Sequence, residues 1–342
     1  MREFKGYRKG VNLGGWLSQC RHTKEHYDTF ITERDIQRIA GMGADHIRLP
    51  LDYETVEAPD GTYDESGFAY IDTCIAWCKK YNLNLILDLH KTAGYSFNDQ
   101  AASAVFFSSE PLQERFVKLW EALAKRYGRY ESMMAFELLN ELVNEEIAGI
   151  WNKIARRAIE AIRIHAPTIK ILVGGVYYNS IFGLEYLDAP YDENIIYNFH
   201  CYEPLIFTHQ SASWTKNMPQ DLVLEYPGAY DAYKEKTKIL DSISNNKVYD
   251  CNIANTIGPE FFENLFSIAA DIAEKRDVPL YCGEYGVIDK APLESTLNWY
   301  RDIHAAFEKF GIGRAAWSYK KMSFGLIDDH YREIYDELIT LL

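Results

Sequence analysis

The hydrophobic pattern of the chain is a short apolar run followed by an amphipathic stretch, repeated from one end to the other. Residues 85–89 are apolar except at Asp88, with no strict alternation, which is typical of a parallel strand covered on both faces. The pattern predicts eight strands, at residues 10–13, 46–50, 83–90, 133–140, 170–174, 195–200, 279–284 and 312–318.

The stretches between these runs have the spacing of amphipathic helices. Residues 111–127 are the clearest case: apolar side chains share one face, Pro111 suits the first turn, and Gly128 suits the position after the last. Thr32 and Asp35 have the spacing of a capping box at another helix start. Similar helices are predicted at residues 147–164, 261–275 and 293–310.

Strands that alternate with helices predict an α/β fold, a (β/α)8 TIM barrel, as a single domain of residues 1–342. A doubly wound open sheet is the alternative. The connection from His200 to Pro279 is far longer than a normal loop between a strand and a helix. Residues 207–255 are therefore predicted to form an inserted subdomain, mostly helical around residues 230–244.

Composition and charge exclude several classes of partner. The 50 acidic and 36 basic residues give a net charge of −14, which argues against nucleic acid and anionic membranes and suits an uncharged substrate. No apolar run is long enough to predict a membrane span. The first residues lack the apolar segment of a signal peptide, so we expect a cytoplasmic protein, or a secreted one whose signal was removed. The six cysteines are predicted to be free thiols.

Polar or aromatic side chains finish six of the eight apolar runs. The carboxyl ends of parallel barrel strands converge on one face, the face that carries active sites, so these side chains are expected to meet. Each alone has a simple structural explanation, such as a helix cap or a solvated charge, but six together indicate a functional site. The six strand ends are Arg48-Leu49-Pro50, His90, Asn140-Glu141, His200-Cys201-Tyr202, Gly283-Glu284 and Trp317-Ser318.

Two carboxyl groups stand out, because Glu141 and Glu284 end the fourth and seventh strands and so face each other across the ring. Cleavage of an acetal needs one group that protonates the leaving oxygen and another that stabilises or attacks the anomeric carbon. Arg48 and Tyr202 can keep one carboxylate ionised, and His200 can sit beside the other. The sequence contains no G-x-S-x-G, P-loop or H-E-x-x-H motif, and no metal or other cofactor is expected.

Seven motifs resemble glycoside hydrolase family 5, which places its two catalytic glutamates after strands four and seven. The resemblance covers essentially the whole chain and is strongest toward compact single-domain clostridial endoglucanases, which carry a helical insertion after strand six. The motifs are GVNLGGW (10–16), HIRLPLD (46–52), LDLH (87–90), AFELLNE (135–141), YNFHCYEPLIFTHQ (197–210), YCGEYGVI (281–288) and AWSYKKM (316–322).

The resemblance also implies the roles of the site residues. Glu141 corresponds to the acid/base and Glu284 to the nucleophile. Arg48 and Tyr202 would hydrogen-bond Glu284, and His200 would orient Glu141. These roles describe a retaining glycosidase that acts by double displacement.

Further substrate contacts follow from the same resemblance. Asn140 would bind the sugar 2-hydroxyl, His90 would contact the sugar in the −1 subsite, and Trp317 would form the stacking floor, followed by a cis peptide bond. Lys91 departs from the family pattern, because many relatives have a second histidine there. Trp214 in the insertion is a candidate substrate wall, or equally packs the insertion onto the barrel.

The hypothesis from the sequence is an endo-acting hydrolase of β-1,4-glucosidic bonds in cellulose-type or mixed-linkage β-1,3-1,4-glucan, with retention of configuration. The expected partner is a β-glucan polysaccharide or oligosaccharide. The alternatives are a β-mannanase or glucomannanase, or an exo-acting β-glucosidase on oligosaccharides. A non-catalytic carbohydrate-binding barrel is the alternative from a different class, and the two glutamates with Arg48, Asn140 and Tyr202 argue against it.

Overall fold

A computed structural model describes residues 1–98, 105–240, 243–250 and 255–342 of the chain. Eight parallel strands close into a barrel, in which each strand pairs with its neighbours in sequence and the first pairs with the last. The predicted (β/α)8 barrel is confirmed, and the open doubly wound alternative is wrong. The strands are β1 Lys9–Asn12, β2 His46–Asp52, β3 Asn84–Lys91, β4 Met134–Glu137, β5 Lys170–Gly174, β6 Ile195–Cys201, β7 Leu280–Tyr285 and β8 Gly313–Ala316.

Helices surround the barrel, and each long helix predicted from the sequence is present, with ends within two residues of those expected. Among the described residues, helices of seven or more residues are α1 Lys24–Phe30, α2 Glu33–Gly41, α3 Glu65–Lys80, α4 Glu110–Tyr127, α5 Ala148–His165, α6 Tyr230–Thr237, α7 Ile243–Asp250, α8 Pro259–Arg276 and α9 Leu293–Phe310. Shorter helical turns occur at Tyr53–Thr55, Gly128–Tyr130, Glu145–Ile147, Val176–Asn179, Ile181–Tyr186, Leu205–Thr208, Lys238–Leu240, Asp329–Tyr331, Tyr335–Leu338 and Ile339–Leu341.

The helix ends follow the local sequence. The backbone N–H of Thr32 donates to the Asp35 carboxylate at 2.8 Å, and the Asp35 N–H donates to the Thr32 carbonyl at 3.0 Å, which starts α2. At the other end of the chain, α9 stops at Gly311, whose φ of +67° suits a residue without a Cβ. These caps fix the residues at which the helices begin and end, and so where the connection to the next strand starts.

Three buried tryptophans attach the helices to the strands. Trp120 in α4 donates its indole N–H to the Leu138 carbonyl at 3.0 Å, and Trp151 in α5 donates to the Gly174 carbonyl at 3.1 Å. Trp299 in α9 makes the equivalent bond to a carbonyl just after β6. Each ring buries a large apolar area, while its polar edge is satisfied next to the carboxyl end of a strand. These contacts hold the face of the barrel on which the polar strand ends lie.

An apolar plug closes the barrel at its lower end, the end opposite the carboxyl ends of the strands. Phe4 and Tyr7 stack there with ring centroids 4.1 Å apart, and Phe4 also meets the edge of Tyr281. The plug supports the polar layer above it and separates that layer from solvent on the lower side. Its members are Phe4, Tyr7, Ile86, Ala135, Leu172, Ile196, Tyr281 and Ala315.

The segment predicted as an insertion contains α6 and α7, and a two-stranded antiparallel ladder joins Gly228–Ala229 to Thr256–Ile257. The helix expected around residues 230–244 begins at Tyr230 and ends at Thr237. Residues 241–242 and 251–254, including Cys251, lie outside the described residues. The other five cysteines are free thiols. Among the described helices, none has the length and apolar character needed to cross a membrane.

Candidate active site

The structure brings most of the predicted site residues into one buried network at the carboxyl ends of the strands. Hydrogen bonds or ion pairs link Arg48, Asn140, Glu141, His200, Tyr202 and Glu284. His90 and Trp317 stack beside this network, with ring centroids 5.6 Å apart and planes inclined by 3°. Trp214 is the exception, since it is 56% exposed and, among the described residues, its ring contacts that of His209 rather than the network.

Glu284 is held by two donors, one on each carboxylate oxygen. Arg48 Nη1 donates to Oε1 at 2.7 Å, and the Tyr202 hydroxyl donates to Oε2 at 2.9 Å. The side chain of Glu284 is only 6% exposed. A carboxylate that accepts from a guanidinium and a phenol is fixed in position and stabilised in its ionised form. These are the two contacts that the family resemblance implied.

Glu141 has a different environment. Its backbone has a φ of +40°, and its carbonyl accepts from the Tyr95 hydroxyl at 2.5 Å, so the turn after β4 is fixed. His200 Nδ1 lies 2.9 Å from Glu141 Oε1 and 3.8 Å from the nearer oxygen of Glu284. The nearest carboxylate oxygens of the two glutamates lie within 4.8 Å of each other. A nearest approach this short favours the close spacing of retaining glycosidases over the wider inverting spacing.

The environments of the two carboxyl groups separate their pKa values. Burial and the neighbouring Glu284 charge raise the pKa of Glu141 well above its usual range. Burial also raises the pKa of Glu284, but Arg48 and the Tyr202 hydroxyl oppose that shift. Burial lowers the pKa of His200, which is therefore neutral. The pKa of Glu141 is therefore raised further than that of Glu284, which favours Glu141 as the protonated member of the pair and Glu284 as the ionised one.

Arg48 is the centre of the buried layer beneath the two glutamates. Its Nε and Nη2 donate to the two oxygens of Glu137 at 2.7 Å each, and Nη2 also lies 3.0 Å from Asp88. None of these three side chains is exposed. Burial raises the pKa of both Asp88 and Glu137 to about 7, although the neighbouring Arg48 guanidinium opposes both shifts.

Sequence reasoning missed Glu137 and Asp88, and also the buried amides Asn12 and Asn198. The missed signal is the two-residue alternation of a strand. Asp88 lies two positions from the strand-end residue His90, and Glu137 lies two positions from an alanine of the apolar plug. A charged side chain at an inward position of an otherwise apolar strand needs a partner inside the barrel.

His90 and Trp317 form a wall of the cleft. His90 Nδ1 lies 2.7 Å from Asp88 Oδ2, and burial lowers the pKa of His90 to about 4, so the ring is neutral at pH 7. With Nδ1–H donating to Asp88, the other ring nitrogen is an acceptor, and it has no partner among the described residues. The peptide bond from Trp317 to Ser318 is cis, as the resemblance implied.

Lys91 is held in an ion pair with Glu54, and its ammonium lies 5.7 Å from the centre of the Tyr53 ring. Nearby, His22 Nε2 lies 3.2 Å from Asp52, whose hydrogen bond raises the pKa of His22 to about 10. Around Lys91, where the chain departs from the family pattern, two cationic side chains therefore pair with two carboxylates: Lys91 with Glu54, and His22 with Asp52.

Within the part of the chain that the structure describes, two groups of side chains have donor atoms close enough to hold a cation, namely His22 with Asp52 and Glu54, and His200 with Glu141 and Glu284. In the first group, protonated His22 and the ammonium that pairs with Glu54 already balance the two carboxylates. In the second group, Glu284 is paired with the Arg48 guanidinium, and burial raises the pKa of Glu141 so that its neutral form is favoured. Neither donor set has the free negative charge that would recruit a divalent ion, so we assign a metal to neither.

Comparison with known proteins gives three kinds of match. Residues 7–323 match the family model described as Cellulase (glycosyl hydrolase family 5). The chain is 42% identical to Endoglucanase C of Acetivibrio thermocellus, over 98% of each chain. It is 43% identical to Cellodextrinase A of Ruminococcus flavefaciens, over 92% of this chain and 86% of the relative.

Among solved structures, Cel5A of Thermotoga maritima in complex with cellobiose matches with a TM-score of 0.78 at 23% identity, over 98% of each chain. The clostridial cellulose synthase subunit Z of Clostridioides difficile matches with a TM-score of 0.76 at 24% identity, over 98% of this chain and 99% of that one. At this level of identity the structural matches support the barrel fold alone.

Proposed function

Because the chain belongs to glycosyl hydrolase family 5, we propose that it cleaves β-1,4-glucosidic bonds within β-glucan chains, with Glu141 as acid/base and Glu284 as nucleophile. It is an endo-acting β-glucan hydrolase. The observation that supports the chemical proposal best is the pairing of the two carboxyl groups within 4.8 Å, one ionised by Arg48 and the other kept protonated by burial.

The first step forms a glycosyl-enzyme. Glu284 attacks the anomeric carbon and forms an ester bond, while the bond from that carbon to the glycosidic oxygen breaks. The proton of Glu141 moves to the departing oxygen, so the leaving sugar departs as a neutral alcohol. Arg48 and Tyr202 hold the carboxylate during the attack, since each contacts one of its oxygens.

The second step hydrolyses the ester. Glu141, now ionised, takes a proton from a water molecule whose oxygen bonds to the anomeric carbon, and the bond to Glu284 breaks. Two inversions at one carbon give net retention of the β-configuration. Neutral His200 at 2.9 Å stabilises ionised Glu141 as a hydrogen-bond donor through Nδ1, without holding the proton itself.

Asn140 is suited to bind the sugar in the −1 subsite. Its Oδ1 accepts from Arg48 Nη2 at 2.9 Å, which fixes the orientation of the amide. The Nδ2 group is buried and has no partner among the described residues, so it is a donor available to a sugar hydroxyl. His90 offers an acceptor to a neighbouring hydroxyl, and the face of Trp317 supports the apolar face of the ring.

The substrate we propose is an uncharged β-glucan, either cellulose-type or mixed-linkage. The names of the two relatives, an endoglucanase and a cellodextrinase, both describe action on β-glucans, one on polymers and the other on oligosaccharides. The net charge of −14 gives no attraction to acidic polysaccharides. We propose internal cleavage of the polymer, with the length of the products as its direct measure.

The test is hydrolysis of soluble barley mixed-linkage β-glucan by the wild type, Glu141→Gln and Glu284→Gln. The matched control is Glu57→Gln, which alters a buried glutamate paired with Arg115 at 2.9 Å, away from the two catalytic carboxyls. We expect a rapid fall in viscosity and mixed oligosaccharides with the wild type and the control, and at least about 1,000-fold less activity in the two site variants. A Glu284→Gln variant as active as the wild type would contradict the proposed mechanism.

A further inference from the structure

The strand that carries Glu284 contains a bulge immediately before it. Against β6, Phe199 pairs with Cys282, but the next residue pairs with Glu284, so Gly283 has no partner. Against β8, the register shifts by one residue at the same place. A bulge bends the strand and redirects the following side chain, and it leaves the extra peptide outside the normal ladder. The direction of the Glu284 side chain therefore depends on what holds the Gly283 peptide.

Two buried asparagines bind the two polar groups of that residue. The Gly283 N–H donates to Asn198 Oδ1 at 3.0 Å. The Gly283 carbonyl accepts from Asn12 Nδ2 at 2.9 Å. Both asparagine side chains are fully buried, and they come from strands on opposite sides of β7, namely β6 and β1. The bulge thus has specific side-chain partners where a regular strand would have backbone partners.

The same two asparagines are tied to the central ion pair. Asn12 Oδ1 accepts from Arg48 Nη1 at 2.9 Å, and Asn198 Nδ2 donates to Glu137 Oε1 at 2.8 Å. Arg48 and Glu137 are joined by two hydrogen bonds of 2.7 Å. These contacts connect four side chains in series, and the Gly283 backbone joins the first to the last; we call the four the bulge clamp: Asn12, Arg48, Glu137 and Asn198.

Close packing confirms that the clamp leaves no spare room. A Cβ at Gly283 would lie 2.8 Å from Asn198 Oδ1 and 3.0 Å from His200 Nε2. Such distances require the neighbouring side chains to shift. Arg48 also donates to Glu284 at 2.7 Å, so one guanidinium contacts both the clamp and the carboxylate that it positions.

We propose that Asn12 and Asn198 are positioning residues of the reaction, which fix the Gly283 peptide and thereby aim the Glu284 carboxylate at the anomeric carbon. This inference rests on the proposed function of Glu284 as nucleophile. Neither asparagine contacts Glu284 itself among the described hydrogen bonds; they act through the Gly283 backbone and, in the case of Asn12, through Arg48. A displacement of about 1 Å at a reacting atom costs about 100-fold in rate, so loss of the clamp should be visible in the chemical step.

The experiment measures attack by Glu284 directly, with 2,4-dinitrophenyl 2-deoxy-2-fluoro-β-cellobioside. The carboxylate forms an ester with the anomeric carbon, and dinitrophenolate leaves without needing a proton, so the labelling rate does not depend on Glu141. The variants are Asn12→Ala and Asn198→Ala. Asn198→Asp is a second variant, because it keeps the shape and the acceptor for Gly283 but loses the donor to Glu137.

Asn152→Ala is the matched control. Asn152 also bridges two backbone groups, donating to the Tyr186 carbonyl at 2.8 Å and accepting from the Asp188 N–H at 3.2 Å, but it lies on α5 outside the barrel. We expect about 100-fold slower labelling in Asn12→Ala and Asn198→Ala, with the dissociation constant of the unreacted compound close to that of the wild type. Asn198→Asp keeps the acceptor for the Gly283 N–H and should lose less than Asn198→Ala. The control should label at the wild-type rate.

The outcomes separate the two proposals. A wild type labelled on Glu284, with clamp variants that are folded and labelled equally fast, would overturn the positioning role and leave the nucleophile in place. A wild type that is not labelled on Glu284 would overturn the proposed nucleophile and the inference that rests on it. Slow labelling in the clamp variants alone, with unchanged binding, supports positioning, because a purely structural role would lower stability without selecting the chemical step.

Discussion

The hydrogen bond from the Tyr202 hydroxyl to Glu284 makes a quantitative prediction about pH. Tyr202→Phe removes one donor at 2.9 Å from a buried carboxylate and leaves the Arg48 contact at 2.7 Å intact. The ring keeps its packing against Phe324 and His209, so the change is confined to the hydroxyl. Loss of a donor destabilises the ionised form of Glu284 and therefore raises its pKa.

The magnitude follows from the type of hydrogen bond. A hydrogen bond to a charged group contributes about 1.5–3 kcal/mol, and about 1.4 kcal/mol corresponds to a factor of ten. Because the proposed attack requires ionised Glu284, the acidic limb of kcat/KM should move to higher pH. The loss of activity should reach about 10- to 100-fold below the optimum and should be smaller on the plateau, where Glu284 is ionised in both proteins.

The assay is kcat/KM on an aryl β-cellobioside from pH 4 to 9, which reports the free enzyme. Tyr226→Phe is the control, because that buried tyrosine also donates to a carboxylate, Asp302, at 2.7 Å, but lies in the insertion. The control should reproduce the wild-type limb. An acidic limb of Tyr202→Phe that coincides with that of the wild type would refute the assignment of Tyr202 as a stabiliser of the ionised nucleophile.

Three further changes test the packing and the cleft. Arg48→Met leaves buried carboxylates without their cation and should cost about 3–5 kcal/mol, measured by urea unfolding; a loss below about 1 kcal/mol would contradict the charge network. Trp120→Ala should cost about 3–5 kcal/mol in the same assay, since it removes a buried ring and an indole donor; a stability close to wild type would show that α4 does not depend on it. Trp214→Ala should leave stability within about 0.5 kcal/mol because the ring is 56% exposed, and should raise KM for polymer more than for short glycosides; equal KM values would remove Trp214 from the cleft.

The barrel was predictable because its strands are buried on both faces. Buried parallel strands are short and apolar, and they end where the chain turns to solvent, so polar residues at those ends mark the active face. The end of the fourth strand was predicted wrongly. It was predicted to reach residue 140 but ends at Glu137, because the backbone begins to turn there and Glu141 adopts a φ of +40°.

Only those residues of the candidate site that lie at the carboxyl ends of the strands were predictable from the sequence. His90, Glu141 and Glu284 follow apolar runs and are visible as strand ends, whereas Glu137 and Asp88 lie within those runs and look like interruptions. Their role in the site depends on partners from other strands, and the periodicity of a single strand does not identify those partners. The bulge in β7 was equally invisible, since it is defined by register against both neighbours.

The exposed parts of the cleft depend on tertiary contacts between loops. The ion pair of Lys91 with Glu54 joins the last residue of β3 to the helical turn after β2, and the ring of Trp214 contacts that of His209. Neither contact follows from the spacing of residues along the chain. For that reason the sequence identifies the type of reaction more readily than the length of glucan that the cleft accepts.

The anomeric configuration of the first product tests double displacement by Glu141 and Glu284 more directly than any rate measurement. Proton NMR of the wild type acting on a soluble cello-oligosaccharide distinguishes the α and β hemiacetals before they interconvert. Since oxygens of the two carboxyl groups lie within 4.8 Å of each other, we predict that the β-anomer accumulates first and the α-anomer appears only by later mutarotation. Initial accumulation of the α-anomer would mean inversion in a single step, and would contradict a covalent intermediate on Glu284.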